Sequence, residues 1–343
     1  MKRNLFILFF AVQIGALWAQ DPHFTQSYAS PMFLNPAMTG AFDGRYRLGA
    51  VARTQWSSFL GTPFNSVGGM FDLRLPIGKG TQEQYIGAGL DLYSDKMGGN
   101  SYFSTNSMSL SGAYHKPLDM RGNNYLSAGL RVGFAQRSVN YEGLRFQDQF
   151  NGLDGYTYAT GENLPANSVT YIDLGTGIFW STNVEKRNQF HAGVGLYHIN
   201  RPDVALFTKV EDKALAIRTS IVAGGQIELT PTIDIMPRIV ISTQGGHFES
   251  NLGTNFRIGL DDYNDASLVV GGWLRPVSDI KQGLGLDAAV LMTGIQFSNM
   301  RIGASYDINV SPLSQVSKTV GAFELTFQYI GNYGGEKVMC PTF

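Results

Sequence analysis

The chain has 343 residues with 26 Lys+Arg against 27 Asp+Glu, and this net charge of −1 lacks the basic excess of a nucleic-acid footprint. Charged residues make up only 15%, while 41 glycines and 12% aromatics accompany 43% apolar residues, too many for a disordered chain. Past the first segment no apolar run reaches the roughly 18 residues a membrane helix needs, which leaves a large all-β chain, either soluble or a membrane-spanning barrel.

At the start, Lys2 and Arg3 precede the apolar block from Leu5 to Val12, which continues to Trp18 and stops at Ala19-Gln20-Asp21. A basic start, a short apolar core and a small residue before a polar turn predict a secretory signal over 1–19. No Cys follows the block, so a lipoprotein is not expected.

Residues 20–43 carry Pro22, Pro31 and Pro36, which forbid a continuous helix or a paired central strand. Phe24, Tyr28, Met32, Phe33 and Leu34 are nevertheless too apolar for a free tail. The segment reads as a plug packed in a barrel mouth, or as an ordered lead-in resting on the periplasmic rim.

From residue 44 to 331 the chain alternates. Over 125–137, Leu126, Ala128, Leu130, Val132 and Phe134 oppose Ser127, Gly129, Arg131, Gly133, Ala135 and Arg137. The same period-two pattern sets Ile86, Ala88, Leu90 and Leu92 against Gly87, Gly89 and Asp91, and Ile302, Ala304, Tyr306 and Ile308 against Arg301, Gly303, Ser305 and Asp307. A soluble sandwich also alternates, but it usually keeps Lys and Glu on its wet face. Here the polar face is Gly, Ser, Asp and Arg, which suits an ion-pair network in a narrow lumen. Tyr85, Tyr93, Tyr125, Trp56, Trp180, Trp273 and Tyr329 fall near strand ends, where interfacial girdles are expected.

Strands are predicted at 44–56, 65–76, 85–95, 103–116, 124–138, 169–182, 188–198, 214–228, 231–243, 251–261, 266–276, 283–294, 299–309 and 319–330. That makes a transmembrane antiparallel β-barrel of fourteen strands, an even number as expected of bacterial outer-membrane barrels. With periplasmic termini, connections after odd strands face outward and should be longer. The two longest, 139–168 and 199–213, are both in that set, which also holds 244–250. Residues 332–343 then form a periplasmic tail. Its Cys340 is the sole cysteine, so there is no disulfide framework, and the thiol reads either as reactive or partner-facing or as an inert buried residue.

Several stretches resemble the PorP/SprF family, outer-membrane proteins of the type IX secretion system and gliding machinery of Bacteroidetes. The opening Asp21-Pro22-His23-Phe24-Thr25-Gln26 followed by Ser30-Pro31-Met32-Phe33-Leu34-Asn35-Pro36-Ala37-Met38-Thr39-Gly40 is similar to the family's opening signature. Arg53-Thr54-Gln55-Trp56 resembles its Arg-x-Gln-Trp, and His198-Ile199-Asn200-Arg201-Pro202 its His-Leu-Asn-Gln-Pro turn, with Arg201 departing from Gln. Ser305-Tyr306-Asp307-Ile308-Asn309 with Ser311, and the ending Cys340-Pro341-Thr342-Phe343, resemble two further motifs. The resemblance implies a non-enzymatic outer-membrane component that contacts periplasmic ring proteins or lipoproteins and secretes or anchors cargo through the cargo's C-terminal domain. Phe146, Phe150, Tyr156 and Tyr158, aromatics amid Asp148, Asp154 and Glu162 in the long 139–168 loop, are candidate partner-binding residues, as are Cys340 and Phe343 in the tail. Those loop aromatics could equally fold the loop back as a lid.

Catalytic and cofactor motifs are missing from the sequence. The five His form no HExxH or HxH pair, no GxSxG occurs, and the Gly-rich pieces alternate like strands, so no cofactor or metal is expected. His198 reads as a hydrogen-bonded rim residue, and Glu249, Asp261, Asp262 and Asp265 as solvated turn charges without a His beside them. The alternative to a secretion component is a hydrophobic-solute channel of the fatty-acid transporter type, which would need an apolar internal pocket, with Phe179 or Trp273 available to line one.

Overall fold

The computed structural model describes residues 21, 23–57, 63–77, 84–98, 102–142, 144–153, 155–185, 187–206, 214–261, 266–278, 283–312, 314 and 320–332. Residues 1–19, over which a secretory signal is expected, and Cys340 and Phe343 lie outside the described residues.

Fourteen strands follow in order: β1 (Tyr46–Gln55), β2 (Phe64–Ile77), β3 (Gln84–Met97), β4 (Phe103–Pro117), β5 (Asn124–Val139), β6 (Ser168–Glu185) and β7 (Asn188–Tyr197). The second half comprises β8 (Arg218–Thr230), β9 (Ile233–Gln244), β10 (His247–Asp261), β11 (Ala266–Ser278), β12 (Leu284–Phe297), β13 (Met300–Asn309) and β14 (Val320–Gly331). Each pairs antiparallel with its sequence neighbour, and β14 returns to β1 with Tyr46 opposite Gly331 and Gln55 opposite Ala322. Closure leaves no open edge, as a sheet immersed in hydrocarbon requires.

Alternation decides the two faces. In β5 every second residue from Tyr125 to Arg137 is buried, while those between are exposed. The exposed set is apolar around the barrel, with Leu110 at 64%, Leu130 at 67% and Ile178 at 60%. So wide an apolar band suits lipid rather than water. The buried set is polar, glycine or aromatic.

Parity also overrules four of the expected girdle positions. Tyr85 and Tyr125 stand in the stripe of Asp91 and Arg131, and Trp273 in that of Arg275, so these three are buried inward, and Tyr93, in the stripe of Asp91 too, turns inward onto Phe24 and Phe33. Another correction concerns the 244–250 connection, expected to be long. β10 begins at His247, and only Gly245 and Gly246 separate it from β9, with φ of 54° and 84°. Consecutive glycines at positive φ make the tight hairpin whose twist matches its strands.

Residues 21–43 lie against the inward faces. Three short 3₁₀ turns, Ser27–Ala29, Pro31–Phe33 and Pro36–Met38, carry the segment along, two of them opened by proline. It runs the length of the barrel. Asp21 meets His198 and Gln244 at the end bearing the 140–167 and 198–217 connections, whereas Met38 and Gly40 meet Arg47 and Asp72 at the end bearing the short turns. Ala37, Met38 and Ala41 form an apolar cluster with Phe179 and Val222, flanked by Leu34 and Val240. Phe179 is thereby covered by the chain's own N-terminal segment.

The glycine-rich inward face accommodates this segment. A Cβ on Gly129 would stand 2.5 Å from the Pro36 carbonyl carbon and the Ala37 nitrogen, and one on Gly87 would collide with the Thr39 carbonyl. Strand glycines of this kind mark a close backbone approach.

Candidate functional site

Three sets of inward side chains hold the N-terminal segment. The first lies on the β13–β14–β1 wall. Arg53 (β1) and Glu324 (β14) are register partners, and Asp307 stands nearby on β13. Arg53 bonds Asp307 at 2.8 Å and Glu324 at 3.4 Å, and Arg275 bonds Asp307 at 2.7 Å. Into this cluster the segment inserts Thr25 and Gln26. Their backbone N–H groups donate to Glu324 at 2.8 and 2.6 Å. The Thr25 hydroxyl accepts from Arg53 at 2.8 Å and Arg275 at 2.5 Å, and donates to Asp307 at 3.0 Å. Its one proton and two lone pairs are therefore all used.

The second set takes up the segment's carbonyl groups. Tyr197 donates to Met32 O at 2.8 Å, Arg218 to Phe33 O at 2.8 Å, Arg47 to Met38 O at 3.2 Å and Arg74 to Phe42 O at 3.1 Å. His115 Nε2 bonds Thr39 O at 2.8 Å while its Nδ1 accepts from Ser127 at 2.6 Å, so the proton is assigned to Nε2. Asn35 donates to Ile178 O at 2.9 Å and accepts from Ala37 N. Asp72 accepts two bonds from Arg47, at 2.9 and 2.6 Å, and one from Gly40 N at 2.7 Å. Irregular backbone deep in a barrel survives only when its polar groups are satisfied in this way.

The third set is a relay at the long-loop end. Arg131 bridges Asp91 and Asp173, each at 2.9 Å. His198 joins Asp173 through Nδ1 and Asp21 through Nε2, both at 2.7 Å. Burial works against the charged imidazole, but the two carboxylates outweigh it and raise its pKa to about 9. Burial likewise disfavours the Asp21 anion, yet His198 and Arg218 hold its pKa well below the ordinary carboxylate range. His198 adopts φ 57°, which turns its side chain inward past the end of β7. It is hydrogen-bonded, as expected of it. Glu249 is not the solvated turn charge expected, because β10 extends to His247, and its carboxylate meets His23 Nδ1 at 3.1 Å and Arg275 at 3.7 Å.

The stretches that carried the family resemblance thus converge in space. Thr25 and Gln26, Arg53, His198, and Ser305 with Asp307 come from four different stretches of the sequence, and all of them touch or hold the N-terminal segment. An alternating inward Arg and Asp could be read from sequence. Which Asp answers which Arg could not. Among the described residues, no group of three or more His, Cys, Asp or Glu could hold a metal ion.

Of the candidate partner-binding residues, Phe150, Tyr156 and Tyr158 are exposed in the 140–167 connection and Phe146 is half-buried. Phe150 and Tyr156 form a β-bridge with ring centroids 5.4 Å apart, and the Arg145 guanidinium lies 5.9 Å from the Tyr156 ring. Asp148 ties the loop base by accepting from Thr160 at 3.0 Å and Gly161 N at 2.5 Å.

The family model described as type IX secretion system membrane protein PorP/SprF matches residues 16–329, nearly the whole chain. This chain belongs to the PorP/SprF family. It is a membrane component of the type IX secretion system, and its closed antiparallel barrel is of the kind that spans the bacterial outer membrane. No curated protein matches it. Among solved structures, the deltaS2S3 mutant of the monoaromatic hydrocarbon channel TodX aligns with a TM-score of 0.52 at 11% identity, over 90% of this chain and 94% of that one. The monoaromatic hydrocarbon channel CymD gives 0.48 at 12% identity, over 89% and 93% of the two chains. The beta domain of the Bordetella autotransporter BrkA gives 0.40 at 12%, over 84% and 99%. Identities this low speak for fold alone.

Proposed function

We propose that this PorP/SprF barrel is a non-enzymatic docking component of the type IX secretion system, with residues 21–43 acting as a resident plug. It offers its two ends, rather than its lumen, to other proteins. The observation that carries this reading is the anchoring of the segment: Thr25 and Gln26 sit in a buried cluster of Arg53, Arg275, Asp307 and Glu324. Hydrogen bonds to charged groups contribute about 1.5–3 kcal/mol each, and Thr25 and Gln26 make several of them in this cluster, so such a segment does not leave readily.

In this proposal the short-turn end faces the periplasm and receives ring components, helped by the tail that ends at Phe343 and includes Cys340. The long-loop end faces outward and holds the C-terminal domain of a secreted protein. Phe150 and Tyr156 suit that task, being exposed aromatics held by a bridge and rimmed by polar groups. Replacing both by Ser should release surface-anchored cargo into the medium without changing barrel abundance or heat-modifiable migration. Unchanged anchoring in that variant would refute a docking role for the loop. The TodX likeness raises a hydrocarbon-channel reading, but the inward ion pairs and the contacts of the N-terminal segment with the inward faces speak against the apolar passage it requires.

A further inference from the structure

Toward the long-loop end the inward stripe of β4 is Thr105, Ser107 and Ser109, and β5 sets Ala135 opposite Ser107 and Gly133 opposite Ser109. Side chains this small do not fill the space in front of them. A cavity of about 650 Å³ remains between this wall and the N-terminal segment, within the size range of small-ligand sites. Phe24 and Phe33 of the segment, together with Tyr93 of β3, give it an aromatic lining. Their ring centroids lie 5.9 Å apart for Phe24 and Phe33, and 6.0 Å from each to Tyr93.

The ionic groups of this cavity are already committed to one another. Arg131 bridges Asp91 and Asp173, His198 bridges Asp173 and Asp21, and Arg218 reaches Asp21 at 3.5 Å while donating to Phe33 O at 2.8 Å. The hydroxyl groups differ. Ser109 is 2% exposed, and its Oγ has no hydrogen-bond partner among the described residues. Ser107, Thr105 and Tyr171 add three half-buried hydroxyl groups nearer the long-loop end. An unmet buried hydroxyl costs free energy, so this wall favours an occupant that hydrogen-bonds to it.

We infer that this cavity is a binding site for a neutral sugar unit. A pyranose ring carries hydroxyl groups around its rim, each able to donate and accept, and C–H groups on its faces that rest well against aromatic rings. The cavity offers the same two chemistries, a row of hydroxyl groups from β4 and β6 and the rings of Phe24, Phe33 and Tyr93. A phosphate or carboxylate would have to break existing pairs to reach Arg131, Arg218 or His198. A plain aromatic group would suit the rings but leave the hydroxyl row unmet. Because Phe24 and Phe33 belong to the N-terminal segment, the site is complete only when that segment is seated. It does not depend on the docking role proposed for Phe150 and Tyr156. A free monosaccharide and one unit of a longer glycan share this chemistry.

The test uses the full-length barrel purified in a zwitterionic detergent, because glycoside detergents would compete. Saturation-transfer NMR titrations with the methyl glycosides of glucose, galactose and mannose, and with maltotriose, should show saturable binding of at least one sugar that salt barely alters. Ser107→Ala, Ser109→Ala and Tyr171→Phe combined remove three hydroxyl groups with little change of shape, and should weaken it about tenfold or more. Ala135→Leu fills the cavity and should abolish it. Thr232→Val, at an exposed turn of the opposite end, should leave it unchanged. Heat-modifiable migration verifies that each variant is folded. Binding of a methyl glycoside shows that one unit suffices, and binding of maltotriose alone identifies a chain. No saturable binding of any of these sugars to the unmodified barrel, equal binding by the folded triple variant, or binding of p-cresol in place of every sugar overturns the site.

Discussion

The Thr25 hydroxyl donates to the Asp307 carboxylate at 3.0 Å across 282 residues of sequence. This bond ties the first turn of the N-terminal segment to the penultimate strand of the barrel. Asp307 also takes Arg53 from β1 and Arg275 from β11, so one carboxylate connects barrel closure to segment seating. Because β1 pairs with β14, the segment is enclosed when the last strand closes.

Asp307→Asn should therefore be among the more damaging single changes. It keeps the shape but leaves two buried guanidiniums short of a counter-ion, at a cost of about 3–5 kcal/mol. Thr25→Val removes only the hydroxyl and should cost about 1–3 kcal/mol, since three charged neighbours lose a partner. Urea midpoints followed by heat-modifiable migration would rank them. Equal midpoints for both variants and the parent would show that the cluster holds nothing.

Adjacent residues on β5 should respond oppositely. Leu130→Arg puts a charge on the lipid face, with a cost of roughly 2–4 kcal/mol if the site lies near the midplane. Arg131→Leu spares the lipid face but leaves Asp91 and Asp173 facing each other without their shared cation. Membrane assembly should fail first for the former, whereas the latter should still insert but unfold at a lower urea midpoint, because two buried carboxylates have lost their common partner. Normal assembly of Leu130→Arg would refute the lipid-facing assignment of β5.

Period-two alternation made the barrel legible, because one parity of each strand is apolar and the other is Gly, Ser, Asp or Arg. That parity also contained the correct orientation of Tyr85 and Tyr125, since both share it with Asp91 or Arg131. Position near a strand end misdirected the reading. Trp273 was harder, because Val269-Val270-Gly271-Gly272 breaks the alternation before it. The 244–250 connection was oversized because His247 and Glu249, inward residues of β10, resemble loop charges until the Gly245-Gly246 turn is recognised. Nothing local paired Thr25 with Asp307 or Asp21 with His198. Those contacts depend on where a proline-broken segment runs through a closed cylinder.

The His198 relay predicts a pH dependence. In the fold His198 has its pKa raised to about 9, above its ordinary value near 6.5, so its contribution is fully present below about 6.5 and is lost as pH rises through 9. Asp21 is shifted the other way, so its contribution holds above about 4 and fades only below that. Amide hydrogen exchange of residues 23–26, corrected for intrinsic rates, should accelerate between about pH 8 and 10. His198→Asn should abolish that step. Persistence of the step in the variant would assign it to another group.

The last prediction tests whether residues 21–43 close the lumen. Deleting them removes Phe24, Met32, Ala37 and Met38 from the interior but leaves Arg47–Asp72, Arg53–Asp307 and Arg131–Asp91 intact as strand-to-strand pairs. The barrel should consequently still assemble, with a hydrated interior and a higher conductance in planar bilayers. Gly129→Val offers a finer version. Its new side chain points into the space of Pro36 and Ala37, already 2.5 Å from an added Cβ, without touching the lipid face. The segment cannot seat there without moving backbone, so the variant should show an intermediate conductance and faster proteolysis near residue 37. Gly69→Val on β2, where an added Cβ meets nothing within 4 Å, controls for the loss of a strand glycine. A conductance that stays at the parent level in both the deletion and Gly129→Val would mean that the segment lines the wall without closing the passage.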